Sequence, residues 1–460
     1  MPDGFFDDGV RAYFTRQANR PDSDNRAVRV LHILTRLANG GAEDNTLHTI
    51  NGLDHTRYEV DLAIGGPSER GSLDKTGLHP AVRLLPVPHL QRDPAPAAEL
   101  SAVRELRAII RTGGYRIVHT HGSKAGILGR MAARRERVPV IVHGIHGISF
   151  HPSMGGVQRV LFRFLERWTG RYTAAFVCVG EEMRQQYLEA GIGSPERYSV
   201  IHSGMELDRF RGAAAAPAGA AGETAAREVR RELQIPADAL IVGTVSRHEK
   251  RKGYPHLIAA AQVLLATETS VRSGASASPE TSAPDAVSPD AALPPGIVLP
   301  AEVRERLWFL SVGDGPEGEK IRALVRAAGL EDRFLFAGYR NDVERMFAAM
   351  DVVTLTSMWE GLPRVLVQAA ATERPVVSFE VDGVREIVAD GVTGYIVPQG
   401  DRTALAARIA RLLTDDRARR EMGAAAGSRV NDSWSVEAMV EATAELYARL
   451  LHDARNAHIG

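Results

Sequence analysis

Between Asp351 and Phe379 the chain reads D-V-V-T-L, then S-x4-L-P-R-V-L-V-Q-A-A-A with M-W-E-G inside the gap, and finally P-V-V-S-F. Short apolar runs rich in valine read as strands buried on both faces, the pattern of a parallel sheet. Parallel neighbours need a crossover, and Val365 to Ala371 supply a helix for it. The turn out of the first strand therefore lies at the carboxyl edge of an α/β sheet. Gly361 permits that turn, and Pro363 suits the first helical position because its missing N–H would be unpaired there anyway. Ligands of open α/β sheets bind at this edge, where helix N-termini offer free amides to anions. Glu360 stays on the loop. As an ionised carboxylate it can accept from the hydroxyls of a polyol, and as a helix-capping acid it would need no ligand.

A chain of 460 residues exceeds what one core usually supports and divides naturally into two domains. A formal net charge of -1 argues against a polyanion-binding protein as a whole, so no nucleic-acid partner is expected. Cys178 is the single cysteine and lies in an apolar run, so no internal disulfide can form and a reducing compartment is expected. The sequence has no apolar run of 18 residues, and the first residues lack the basic-then-apolar pattern of a signal peptide. A cytoplasmic protein, or one peripheral to the cytoplasmic face of a membrane, is the expectation.

In chain order, residues 1–27 are polar and aperiodic, a disordered tail. Val28 to Thr35 reads as a strand, and Gly40 and Gly41 turn it into a helix where exposed amides favour phosphate. Most Gly-Gly turns are only turns. His119 and His121 share one side of a strand, a pattern that would suit a metal pair, but the sequence shows no third ligand at a convincing spacing and no metal is assigned. His143 reads as structural, and His146 ends a strand at a glycine turn. Arg159, Arg163, Arg167 and Arg171 recur every four residues among apolar ones, which makes 157–171 a basic amphipathic helix. It reads either as a solvated helix covering the sheet or as a contact for an anionic membrane surface. Residues 212–235 read as a linker and 267–296 as a disordered insertion rich in Ser, Ala, Pro and Thr. Arg247 and Lys252 follow a strand on a basic turn, where they could neutralise a diphosphate or simply be solvated charge.

The pattern E-G-L-P-x-V-L from Glu360, the second acidic turn at Val384-Arg385-Glu386, the G-G-A-E turn at Gly40 and the spacing R-x4-K-G from Arg247 together resemble retaining GT-B glycosyltransferases of family 4. The resemblance covers nearly everything from Val28 to Ala448 apart from the two insertions. It implies two Rossmann-like, doubly wound domains facing across a cleft: 28–211 for the acceptor, 236–430 for the nucleotide sugar, and 431–460 as a helix returning to the first domain. The implied activity is retaining sugar transfer from a nucleotide-diphosphate sugar, with a lean towards UDP-sugars and towards glycan or lipid-linked acceptors of capsule or exopolysaccharide synthesis.

No metal or other cofactor is implied. By resemblance, Arg247 and Lys252 would clamp the diphosphate, and Gly40 and Gly41 would approach the donor phosphate or the acceptor. His146 would contact the sugar near the anomeric carbon, and His121 would face the acceptor. Gly338 and Tyr339 would hold the nucleobase. Glu360, with Gly361, Leu362 and Pro363, would bind the sugar, and Gln368 and Glu386 the ribose or phosphate edges. Gln368 departs from the family, which has a second acid there. A 2-epimerase of the same architecture, a phosphorylase with a Schiff-base lysine and a non-catalytic sugar-binding descendant are the other readings.

Overall fold

A computed structural model of the chain describes residues 27–37, 40–66, 77–151, 154–214, 221–267 and 297–456. The expected tail and the Ser/Ala/Pro/Thr-rich insertion fall, but for their edge residues, outside the described residues. The chain forms two compact units. One runs to Gly204 and takes in the C-terminal segment from Ser433; the other is Met205–Asp432.

The first unit is built on seven parallel strands: β1 (Val28–Leu34), β2 (Tyr58–Ile64), β3 (Arg83–Pro86), β4 (Ile117–His121), β5 (Val140–Ile145), β6 (Ala175–Cys178) and β7 (Tyr198–Val200), in the spatial order β3-β2-β1-β4-β5-β6-β7. Alternation along each strand sorts side chains to two faces. Leu31, Ile33, Val118 and Ile141 pack with Leu106, Leu128 and Ala132 of the helices Pro96–Gly113 and Ser123–Arg135. Val30, Leu34, Ile117 and Val142 face the other way, where the helix Val436–Asn456 contributes Met439, Leu446, Tyr447 and Leu451. The C-terminal helix is thus part of this unit's core.

The second unit has six parallel strands: β8 (Leu240–Val245), β9 (Leu307–Val312), β10 (Phe334–Gly338), β11 (Val352–Leu355), β12 (Val376–Phe379) and β13 (Gly394–Val397), ordered β10-β9-β8-β11-β12-β13. Residues 212–235 are not the linker expected from their alanine and glycine content. The helix Leu207–Ala214 and the helix Ala221–Glu232 occupy much of that span and belong to this unit, which begins at Met205 and not near Pro236. Alanine is the best helix former, and the run also carries the contacts that fix it. Val229 is fully buried, and Arg230 donates to the carbonyls of Ala239 at 2.7 Å and Ala349 at 3.2 Å.

The basic helix Gly156–Gly170 also departs from expectation. It does not cover the sheet with its apolar residues: Val157, Val160, Leu161 and Phe164 are 87, 68, 51 and 62% exposed. Arg163 and Arg167 instead donate to the carbonyls of Ala190 and Gly191. What the helix buries is Glu166, whose Oε2 lies 2.6 Å from Arg130 Nη2 with both side chains fully excluded from solvent. Removing one partner of such a pair leaves a buried, uncompensated charge. Glu166→Ala is therefore expected to cost about 3–5 kcal/mol, read as a drop in the urea midpoint of the first unit. A loss below about 1 kcal/mol, the worth of a surface pair, would show that Arg130 reaches water.

Candidate active site

In the second sheet the strand order reverses at β8 and β11, which pair in parallel. Crossovers leave these two strands in opposite directions, which is what opens a ligand crevice beyond their carboxyl ends. The loop after β8 runs to Gly253 and the loop after β11 to Pro363, and backbone contacts clamp one to the other. Gly253 has φ +64, and a Cβ there would lie 1.9 Å from the Thr356 carbonyl oxygen, so only glycine fits. Thr356 Oγ1 donates to the Lys252 carbonyl at 3.0 Å, and Met358 N–H to the Arg251 carbonyl at 2.7 Å.

This clamp brings charged side chains together. Lys252 Nζ lies 2.5 Å from Glu360 Oε1, and Arg251 Nη1 lies 3.1 Å from Glu360 Oε2. Glu249 bridges the two arginines, 2.9 Å from Arg251 Nε and 3.1 Å from Arg247 Nε. Arg247, Lys252 and Glu360 thus meet at one place. Glu360 and Lys252 are only 10 and 12% exposed, whereas Arg247 and Arg251 are about a third exposed. Burial pushes the Glu360 carboxyl up, but the charges of Lys252 and Arg251 outweigh it and hold the group below its ordinary value. Three cations face two carboxylates here, so the cluster keeps net positive charge for an anion.

Sequence reasoning passed over Arg251 and Glu249. Arg251 sits in the run R-H-E-K-R-K, where nothing separates the cation that turns inward from those that do not. Pro363 caps the helix Arg364–Ala371 rather than occupying its first turn, a one-residue shift. Leu362 is buried, and Gln368 is half-buried on that helix. Glu386 lies on the short helix Val384–Ile387, and Gly383 before it packs so closely against the loop after β11 that a Cβ there would fall 2.8 Å from the Gly361 carbonyl oxygen. Gly338 ends β10 with φ +69, and its carbonyl accepts from Gly313 N–H at 2.7 Å, while Tyr339 is 40% exposed.

In the first unit, Gly40 precedes the helix Gly41–Gly52. Glu43 Oε2 falls 2.7 Å from the place a Gly40 Cβ would take, so this helix end already has a carboxylate folded over it. His121 Nδ1 lies 3.0 Å from His146 Nε2. The expectation that His119 and His121 have no third ligand at a convincing spacing is corrected: His32 on β1 lies opposite His119, and nitrogen atoms of His32, His119 and His121 stand within 4.8 Å of one another. Eighty-odd residues separate His32 from β4, so only the strand pairing reveals it. His143 points to the other face and bonds Thr120 Oγ1 at 3.0 Å.

Because the folded Glu360 pKa is depressed, its contribution to stability is present above the unfolded value and lost as pH falls through the folded one. The stability difference between wild type and Glu360→Gln should hold level from pH 8 to about pH 5 and shrink only below the usual carboxylate range. Denaturant titrations at a series of pH values check this, and a difference already shrinking at pH 6 would contradict the ion pairing.

The family model for glycosyl transferases group 1 matches residues 298–429, and that for the glycosyl transferase 4-like domain matches 40–204. The UDP-Gal:alpha-D-GlcNAc-diphosphoundecaprenol alpha-1,3-galactosyltransferase of Escherichia coli is 24% identical over 426 residues, covering 92% of this chain and 98% of that protein. Among solved structures, HepE of Anabaena in complex with UDP-glucose is 20% identical with a TM-score of 0.70, covering 92% of this chain and 99% of its own. Sucrose-phosphate synthase from Thermosynechococcus elongatus is 21% identical with a TM-score of 0.71, covering 93% and 100%. Two Rossmann-like units, a motif set spread over both and matches along nearly the whole length agree: the chain belongs to the GT-B glycosyltransferases of the family 4 type.

Proposed function

We propose that this glycosyltransferase moves a sugar from a UDP-sugar to a glycan or lipid-linked acceptor of cell-surface polysaccharide synthesis, with retention at the anomeric carbon and without a metal ion. The observation that carries the reading is the cluster of Arg247, Arg251 and Lys252 around Glu360. Breaking the bond to the anomeric carbon leaves negative charge on a nucleoside diphosphate. Fixed cations already oriented at that place stabilise it without reorganising. Glu360 holds the cations in register while the site is free and accepts from sugar hydroxyls when a donor enters. Gly338, Tyr339, Gln368 and Glu386 take the nucleoside end, and Gly361, Leu362 and Pro363 line the sugar. In the first unit, Gly40 and Gly41 approach the phosphate or the acceptor, His146 contacts the sugar near the reacting carbon and His121 lies towards the acceptor.

Support for a UDP-sugar comes from the relatives: the E. coli protein is named for UDP-Gal and a diphosphoundecaprenol acceptor, and HepE was solved with UDP-glucose. Lys252→Ala should lower kcat on the order of a hundredfold, the loss of about 3 kcal/mol of transition-state stabilisation, with the fold intact. Turnover should persist in excess chelator, and NMR of the product should show the donor's anomeric configuration. Inversion, or an unchanged kcat in the variant, would refute this mechanism. Slow hydrolysis of UDP-sugars without acceptor separates an enzyme from a non-catalytic sugar-binding protein.

A lipid-linked acceptor places the enzyme at a membrane surface. No helix among the described residues is long and apolar enough to cross one. The helix Gly156–Gly170 instead offers an exposed stripe of Val157, Val160, Leu161 and Phe164 beside Arg159, Arg163 and Arg167, the combination that lies on anionic lipid. The protein should sediment with vesicles of phosphatidylglycerol and not with phosphatidylcholine alone, and Phe164→Asp should release it. Equal sedimentation of the variant would exclude this helix as the contact.

A further inference from the structure

The proposed reaction uses only one end of the histidine cluster in the first unit. β1 pairs with β4 so that His32 stands opposite His119, and Gly144 of β5 stands opposite His121. From these positions a continuous chain of hydrogen bonds runs through buried groups. His119 Nδ1 meets Tyr447 Oη at 2.7 Å, and Tyr447 Oη meets His32 Nε2 at 3.2 Å. His32 Nδ1 then meets His121 Nε2 at 2.9 Å, and His121 Nδ1 meets His146 Nε2 at 3.0 Å. A Cβ on Gly144 would lie 2.8 Å from His121 Nδ1, 3.1 Å from His146 Nε2 and 3.2 Å from His119 Nε2, so this glycine makes room for three rings. His119 Nε2 is buried without a hydrogen-bond partner. His119 borders a cavity of about 20 Å³ with Asn45, Thr49 and Thr443, space for one water.

Burial keeps three of the rings neutral: it pushes His32 down to about 3 and, helped by the neighbouring imidazoles, holds His119 and His121 well below the ordinary value. A neutral imidazole has one N–H and one lone pair, and each link needs one of each. Fixing one link therefore fixes all of them. Either all four rings carry the proton on Nδ1 and the links run from His119 towards His146, or all carry it on Nε2 and the links run back. Passing between the two states adds a proton at one terminal nitrogen, His119 Nε2 or His146 Nδ1, and releases one from the other, with four transfers along the links between them.

We propose that His32, His119, His121 and Tyr447 are positioning residues that hold His146 in one tautomer and one orientation. What His146 then touches rests on the function proposed above; the chain itself does not. A metal ion on His32, His119 and His121 is the competing use of the same nitrogens. It would break the link between His32 and His121 and bring charge to a group that includes no carboxylate.

The test is the ring nitrogen spectrum of protein labelled with nitrogen-15 histidine, in wild type and in Tyr447→Phe. Expected in wild type is one shared tautomer for His32, His119, His121 and His146. In Tyr447→Phe, which loses the central hydroxyl, His146 should show both tautomers, and kcat should fall about tenfold, the order of one lost orienting hydrogen bond, with donor affinity unchanged. Mixed or differing tautomers in wild type overturn the proposal without need of a variant. So do unchanged His146 signals in Tyr447→Phe, or stoichiometric zinc that shifts the His119 ring. A protein with the shared tautomer but no transferase activity keeps the chain and loses only the function assigned to it.

Discussion

A carboxylate held almost out of water by two cations is the interaction on which the second unit's chemistry depends. Glu360 would resist ionisation at its depth if Lys252 and Arg251 did not face it, and the cations would repel one another without Glu360 and Glu249 between them. The arrangement needs two loops closer than side chains normally allow. Gly253 supplies that closeness against Thr356, and the pairing of β8 with β11 brings the loops together in the first place. Backbone contacts thus set the electrostatics.

The first unit repeats the geometry with different chemistry. There the strand order reverses between β1 and β4, and the side chains gathered at that reversal are neutral imidazoles. One unit offers fixed positive charge to an anion, the other a chain of polar groups that carries no net charge. Uncharged rings can be buried far more cheaply than ions where most of their nitrogens find hydrogen-bond partners. The helix Val436–Asn456 makes this feasible by returning Tyr447 to the middle of the chain.

Local patterns were legible. Valine-rich runs and glycine turns mark the strands around Glu360, and the positions of Arg247 and Lys252 after a strand place them at the carboxyl edge of the sheet. Long-range pairing was not. His32 and Tyr447 are far from β4 in sequence, and no periodicity links them to His119. Arg251 is hidden among like residues, and only the clamp between loops selects it. Composition misled at 212–235, where alanine was read as a sign of flexibility although it favours helix once Val229 and Arg230 have something to hold. At 157–171 periodicity places Arg159, Arg163 and Arg167 correctly on a helix that ends just before Arg171, but it does not show that Glu166 faces inwards.

We propose that cations of the protein, and no metal ion, grip the diphosphate. Calorimetric titration of UDP into the protein, with all divalent cations chelated, tests it most directly. Saturable one-to-one binding that weakens with added salt and is unchanged by added magnesium is expected. Binding that appears only when magnesium is restored would contradict it.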